Sequence, residues 1–173
     1  MTPSPVAAWL TKLLIRDLEG FGRELARFPG EADLWRLAPG VANSAGTLAL
    51  HVSGNLQHFI GAVLGGSGYR RDRAREFSAR DVPRADLLEE LARTSASVVA
   101  VVPGLTDEAL AAPYPERVGG VALVTGQLLL HLEAHLAFHL GQAGYLRRVL
   151  VPGSGSADPL PLSPLAGPED QPS

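Results

Sequence analysis

The sequence predicts an all-α protein built as a four-helix bundle. Four long segments repeat apolar residues at the three-to-four spacing of amphipathic helices, and no segment shows convincing strand alternation. The chain of 173 residues is long enough for one core, and that core is aliphatic because aromatic residues make up only 6%. We therefore expect a single bundle domain over residues 1–151.

The first helix is predicted from Ser4 to Phe28. Ser4 is a favourable N-cap, Pro5 suits the first helical position, and Pro29-Gly30 ends the segment. Trp35, in the connection that follows, is interpreted as a packing residue, as is Trp9. The expected apolar stripe of this helix comprises Trp9, Leu13, Leu14, Leu18, Phe21 and Leu25.

The other three long helices are predicted over residues 44–64, 83–102 and 126–149. Asn43 or Ser44 can cap the second, Asp81 precedes the third, and Thr125 precedes the fourth. Glycine or proline follows each segment, as expected where a helix ends. Four such helices of similar length are typical of a bundle.

Three connecting regions have their own character. Residues 66–82 form a connection that is long for a compact bundle, and its RRDRAR run (70–75) reads as a solvated loop. Before the last long helix, Thr106 suggests a short helix and residues 113–124 a brief hairpin. The tail, residues 152–173, is rich in Pro, Gly and Ser and is expected to be flexible.

Composition excludes several classes of function. There are no cysteines, so a metal must be held by His, carboxylate, amide or water. The net charge of -3 gives no electrostatic signature of a nucleic-acid partner. The N-terminal segment does not read as a signal peptide, and no apolar run reaches the roughly 18 residues of a membrane span. We expect a cytoplasmic protein with no membrane partner.

The histidines carry the clearest functional signal. His131, His135 and His139 recur every fourth residue on the fourth helix, and the remaining two, His51 and His58, lie on the second. A spacing of four residues returns to nearly the same helix face, so two such histidines can grip one ion. One histidine from the second helix and two from the fourth would leave a metal position open for water or substrate.

The same residues allow alternative interpretations. Buried histidines that line a polar seam of a helical scaffold would need no metal, although burying several imidazoles without partners is costly. A ferritin-like di-metal site is excluded because Leu136 stands where Glu133 would require histidine, and a zincin because Leu132 follows His131. No Gly-x-Ser-x-Gly elbow supports a serine hydrolase.

Three segments resemble the DinB/YfiT-like superfamily. The HxxxHLGQ segment at 135–142 is similar to the family's last-helix signature, and residues 43–65 are similar to its second helix. YRRDRAREF at 69–77 resembles an arginine-rich segment of one uncharacterised branch. The resemblance covers roughly residues 35–150 and is specific in spacing and order.

The resemblance implies an up-down-down-up four-helix bundle, often a homodimer, with one divalent metal ion. Carried onto this chain, the ligands are His51, His135 and His139. His131 would lie one turn away, either supporting the ligands from behind or packing in the core, and His58 would not reach the ion. Zinc ranks slightly ahead of nickel.

Some relatives are thiol-dependent S-transferases or isomerases that use bacillithiol, mycothiol or glutathione. The resemblance therefore implies a metal-dependent thiol S-transferase, in which an open Lewis-acid site activates a low-molecular-weight thiol. The alternative is a non-catalytic metal-binding stress-response or ligand-binding module.

Supporting roles are predicted for several neighbouring residues. Asn55 could orient the site or contact substrate, and Gln142 could tie the last helix to a neighbour. A salt bridge between Arg73 and Glu76 would hold the long connection. Arg70 or Arg71 could attract an anionic thiol.

Overall fold

A computed structural model describes residues 2–166, and its regular structure is helical. No strand forms within that range, so the prediction of an all-helical protein is confirmed. The α-helices are α1 (Pro5–Ala26), α2 (Ala45–Leu56), α3 (Arg73–Ser78), α4 (Arg84–Val101), α5 (Asp107–Ala111) and α6 (Thr125–Leu150). The helix α2 continues without a break as the π-helix Gln57–Leu64, and single 3-10 turns form at Ala32–Trp35, Val102–Gly104 and Ser163–Leu165.

The N-terminal caps of α1 and α2 are as predicted. The Ser4 hydroxyl accepts a hydrogen bond from the Val6 amide, and the Ser44 hydroxyl accepts one from the Thr47 amide. Thr125 does not cap α6, because its hydroxyl donates to the Ala112 carbonyl instead. The orphan amide of Val124 donates to the side chain of Gln127 at this end of the helix.

The apolar stripe of α1 is rotated from the predicted one. Trp9 is 63% exposed, so the interpretation of this residue as a packing residue is wrong. Leu10 takes the core position instead, since it lies four residues before the fully buried Leu14 and shares its helix face. Trp35 does pack, against Gly46 of α2, and its indole N–H donates to the Val82 carbonyl.

Contacts between the four long helices build one core. α1 packs against α4 and α6, and α2 also packs against α4 and α6. At the end of α1, the fully buried Glu24 pairs with the equally buried Arg147 of α6. Removing one partner from such a pair leaves an uncompensated buried charge, so the pair fixes how α1 and α6 meet.

The segment before α6 contains both features predicted for it. α5 follows the Thr106 cap, and isolated bridges join Pro113 to Val124 and Val118 to Val121 in a minimal hairpin. The Tyr114 hydroxyl donates to the Phe59 carbonyl at 2.8 Å, which attaches the hairpin to the π-helical end of α2.

The connection between α2 and α4 is not simply a solvated loop. It contains α3, whose Glu76 side chain is buried although the rest of the helix is mostly exposed. Asp72 caps α3 by accepting a hydrogen bond from the Arg75 amide. α3 packs on α2 and thereby brings part of the charged run into the protein interior.

The described part of the tail, residues 152–166, lies along the bundle. Arg147 donates to the carbonyls of Ser154 and Gly155, and Arg23 donates to that of Asp158. Ala157 is buried. The flexibility predicted for residues 152–173 stays a prediction, and residues 167–173 lie outside the described residues. None of the helices within residues 2–166 combines the length and apolarity needed to cross a membrane.

Candidate metal centre

His51 reaches the centre of the bundle from α2. Its side chain is only 10% exposed, and its ring packs against Phe77 of α3 with a centroid separation of 4.9 Å. The Nδ1 atom lies 2.9 Å from Oε2 of Glu76. Because an ionised carboxylate can only accept, this contact places the proton of His51 on Nδ1 and leaves a lone pair on Nε2.

His135 and His139 project from successive turns of α6 toward that lone pair. Nε2 of His135 lies 3.3 Å from Nε2 of His51 and 3.0 Å from Nε2 of His139. The potential ligand atoms of the three histidines all lie within 4.8 Å of one another. The structure therefore brings together the three residues that the sequence singled out.

Gln142 orients the third histidine. Its Oε1 lies 2.7 Å from Nδ1 of His139 and accepts the proton there, which again leaves Nε2 unprotonated. Gln142 thus acts within α6, and the prediction that it ties the helix to a neighbour is wrong. The spacing explains this outcome, because residues three apart on a helix are surface neighbours.

These hydrogen bonds leave one contact between the three histidines without a proton to share. With Nδ1 protonated on His51 and His139, a single proton on Nε2 of His135 can satisfy only one of its two contacts. The other contact then has no proton directed along it, so its two nitrogens are not hydrogen-bonded. Burial, followed by the neighbouring histidines, lowers the pKa of His135 to about 4, so this imidazole carries only one proton at neutral pH and the contact stays unsatisfied.

A divalent cation fits this donor set. Ligand nitrogens at the usual Zn–N distance, in tetrahedral arrangement, lie about 3.3 Å apart. The observed separations of 3.3 and 3.0 Å match that spacing closely. Three imidazoles, two of them with tautomers fixed by Glu76 and Gln142, could thus hold one metal ion and leave its remaining coordination position open.

Glu76 is the supporting residue that the predicted roles miss. It accepts hydrogen bonds from Nε and Nη2 of Arg71 at 2.7 and 2.8 Å, in addition to the contact with His51. Burial raises the pKa of Glu76, but the hydrogen bonds from Arg71 and His51 outweigh burial and lower the pKa overall. The carboxylate is therefore ionised and balances the guanidinium charge beside the histidines.

The predicted pair of Arg73 and Glu76 does not form. The Arg73 guanidinium lies over the Phe77 ring, 4.9 Å from its centroid, and Arg71 takes the carboxylate instead. Arg73 is exposed while the Glu76 carboxylate is buried against α2, and Arg71, which precedes the helix, folds back to reach it. Gly54 makes the arrangement possible, because a Cβ at this position of α2 would overlap the Glu76 carboxylate.

Other predicted residues lie outside the cluster of three. His58 pairs with Glu116 at 3.3 Å, in agreement with the expectation that it does not reach the centre. His131 is exposed, so it is not a core residue, although its ring stacks on that of His135 at 6.1 Å. Asn55 is buried with its Oδ1 atom unpartnered, so its predicted orienting role remains a prediction.

Two features define the class of protein: an all-helical core of four long helices, and three histidines on two of them that could hold a metal ion. A family model for the DinB superfamily matches residues 16–143. The chain belongs to the DinB superfamily. No curated protein matches the chain.

Proposed function

We propose that the protein is a divalent-metal-dependent enzyme that transfers a low-molecular-weight thiol to an electrophile. The observation that carries this proposal is the convergence of three histidines, two of which have their Nδ1 atoms held by Glu76 and Gln142. When bound, the ion would supply a Lewis acid that lowers the pKa of a thiol. Zinc ranks slightly ahead of nickel for an all-imidazole site.

The reaction forms one bond from sulfur to an electrophilic carbon. The sulfur supplies the bonding pair, the leaving group departs with the pair from the bond that breaks, and the thiol proton goes to solvent. For an epoxide, the ring oxygen keeps that pair and takes up a proton. His51, His135 and His139 fix the geometry, while burial beside Phe77 limits the access of water to His51.

The surroundings favour an anionic thiol. The charge of Arg71 is balanced by Glu76, so Arg71 is not the residue that would attract an anionic thiol. Arg70, Arg73 and Arg75 stay exposed around α3, beside the site. Their charges favour thiols that carry carboxylates, such as glutathione or bacillithiol.

The test is conjugation of a thiol panel to 1-chloro-2,4-dinitrobenzene by zinc- and nickel-loaded protein. We expect turnover that is lost on chelation and in His139→Ala, and retained in His131→Ala, which alters an exposed histidine one turn from the cluster of three. Full activity after complete metal removal would contradict the proposal. Bound metal without turnover for any thiol would favour a non-catalytic metal-binding stress-response or ligand-binding protein.

We further propose an up-down-down-up order for α1, α2, α4 and α6. Three residue pairs support it: Glu24 meets Arg147, Gly65 at the end of the π-helix meets Val101 at the end of α4, and Ser4 meets Leu105. These pairs are those expected if α1 runs parallel to α6, α2 runs parallel to α4, and α1 runs antiparallel to α4.

A cytoplasmic homodimer completes the proposal. Val6 and Trp9 are exposed apolar side chains on α1, and their exposure supports an interface on this helix. We expect the native mass to be twice the chain mass and Trp9→Glu to halve it. A monomeric wild-type protein would contradict the dimer and leave the metal chemistry unaffected.

A further inference from the structure

A half-open cavity of about 400 Å³ lies between α2 and α6, next to the cluster of three histidines. Leu48 contributes to its wall one turn before His51, and Gln142 contributes one turn after His139. One helical turn advances about 5.4 Å, so the cavity begins roughly one residue layer from the converging Nε2 atoms. Its volume falls in the range of roughly 300–1,000 Å³ typical of small-molecule sites.

The walls of the cavity are largely apolar. Ala38 and Val41 come from the loop before α2, and Leu146 and Val149 from the last turns of α6. The ring of Tyr145 adds an aromatic surface. No charged side chain within residues 2–166 lines the cavity, so a charged ligand would lose its hydration there without gaining an ion pair.

Two side-chain amides are among the polar groups of the residues that line the cavity. Asn43 lines the cavity, and Gln142 lines it while its Oε1 accepts from His139. Since that oxygen is committed to the histidine, the N–H groups of Gln142 are what remain to bind a ligand. A ligand with one hydrogen-bond acceptor, such as a carbonyl, nitro or epoxide oxygen, fits this arrangement.

We infer that this cavity binds the second substrate: an uncharged, largely apolar electrophile with one acceptor oxygen. The inference rests on the proposed thiol transferase function and names the class of its acceptor. The apolar body lies between Leu48 and Val149, and the amide of Gln142 orients the acceptor oxygen. The electrophilic carbon then lies toward the histidines, where sulfur forms its bond and the leaving group departs with the bonding pair.

Two fluorescent probes test the cavity without any turnover. N-phenyl-1-naphthylamine is uncharged, and 1-anilinonaphthalene-8-sulfonate has the same ring systems with an added sulfonate. We expect the uncharged probe to bind the zinc-loaded full chain with one site per chain, and the sulfonate to bind at least about tenfold more weakly, which corresponds to about 1.4 kcal/mol.

A matched pair of variants locates the binding. Val149→Trp should fill the cavity and lower affinity for the uncharged probe by about tenfold or more. Val99→Trp, at a position of α4 that is 56% exposed against 60% for Val149, should leave that affinity unchanged. Zinc content and thermal melting of both variants should match the wild type, which shows that the fold and the histidine site persist.

Each outcome decides the inference. Equal binding of both probes, or unchanged binding in Val149→Trp, would overturn it. Loss of probe binding accompanied by a shift in native mass on Val149→Trp would assign the surface to contact between two copies instead, and would equally overturn it. Probe binding as expected, with no conjugation for any thiol, would preserve an uncharged-ligand site while the proposed transferase function fails.

Discussion

Replacing Glu76 with glutamine should weaken metal binding while leaving every predicted ligand in place. In the wild type, the carboxylate accepts from His51 Nδ1 at 2.9 Å and from two nitrogens of Arg71 at 2.7 and 2.8 Å. Glutamine keeps one acceptor oxygen, so the tautomer of His51 can survive, but the negative charge is lost. The guanidinium of Arg71, 3.4 Å from His51 Nδ1, then faces the metal uncompensated.

The size of the effect follows from those contacts. Removing a partner of a metal-bound histidine typically lowers metal affinity by about 10- to 100-fold, or about 1.4–2.7 kcal/mol. Because glutamine preserves the hydrogen bond to His51, we expect Glu76→Gln near the lower figure. Glu76→Ala, which removes the acceptor as well, should come near the higher figure.

The assay is the zinc dissociation constant at pH 7, measured by competition with a chromophoric chelator. Glu90→Gln is the matched control, since this carboxylate on α4 is also hydrogen-bonded but contacts Gln57 and Arg93 rather than a histidine. Arg71→Leu combined with Glu76→Gln should recover part of the loss by removing the uncompensated charge. Wild-type affinity in Glu76→Ala would refute the role that we assign to this carboxylate.

Three further predictions concern Gly54, the pKa of His135 and the buried pair of Arg147 with Glu24. Gly54→Ala should reduce zinc affinity much as Glu76→Gln does, because the added methyl displaces the carboxylate from His51; unchanged affinity would show that the carboxylate is not needed there. Burial lowers the pKa of His135 to about 4, so this imidazole should release no proton on binding zinc between pH 5 and 6. As the pH falls through that window, zinc affinity should drop by at most about two powers of ten per pH unit; a slope approaching three, as expected of three freely titrating imidazoles, would contradict this. Arg147→Met leaves Glu24 buried and unpaired, so it should lower the free energy of unfolding by about 3–5 kcal/mol in urea titrations. Adding Glu24→Gln should restore part of that free energy. A change in zinc stoichiometry instead would contradict a purely structural role for the pair.

Local signals in the sequence predicted the helices well. Caps such as Ser4 and Ser44 depend on contacts only a few residues apart, so they can be read directly. Which face of a helix is buried depends on the helices packed against it. For this reason the apolar character of Trp9 predicts a core position, although the residue is exposed. The same holds for His131. Four residues advance a helix by about 400°, so after two such steps the His131 side chain points about 80° away from that of His139.

The support of the metal centre was harder to predict, because it depends on tertiary contacts. The segment from Arg70 to Glu76 has no apolar periodicity, so nothing local indicates that α3 packs on α2. Its burial depends on the missing side chain of Gly54, twenty-two residues earlier in the sequence. Only the fold shows that this glycine makes room for the carboxylate.

The central claim is that His51, His135 and His139 hold one divalent ion. Elemental analysis of untagged protein, together with zinc titration of the metal-free protein, tests it most directly. We predict about one ion per chain for the wild type and for His131→Ala, and a loss of tight binding in His51→Ala, His135→Ala and His139→Ala while helical content persists. A metal-free wild-type protein that takes up no zinc, nickel or other divalent ion would contradict the claim.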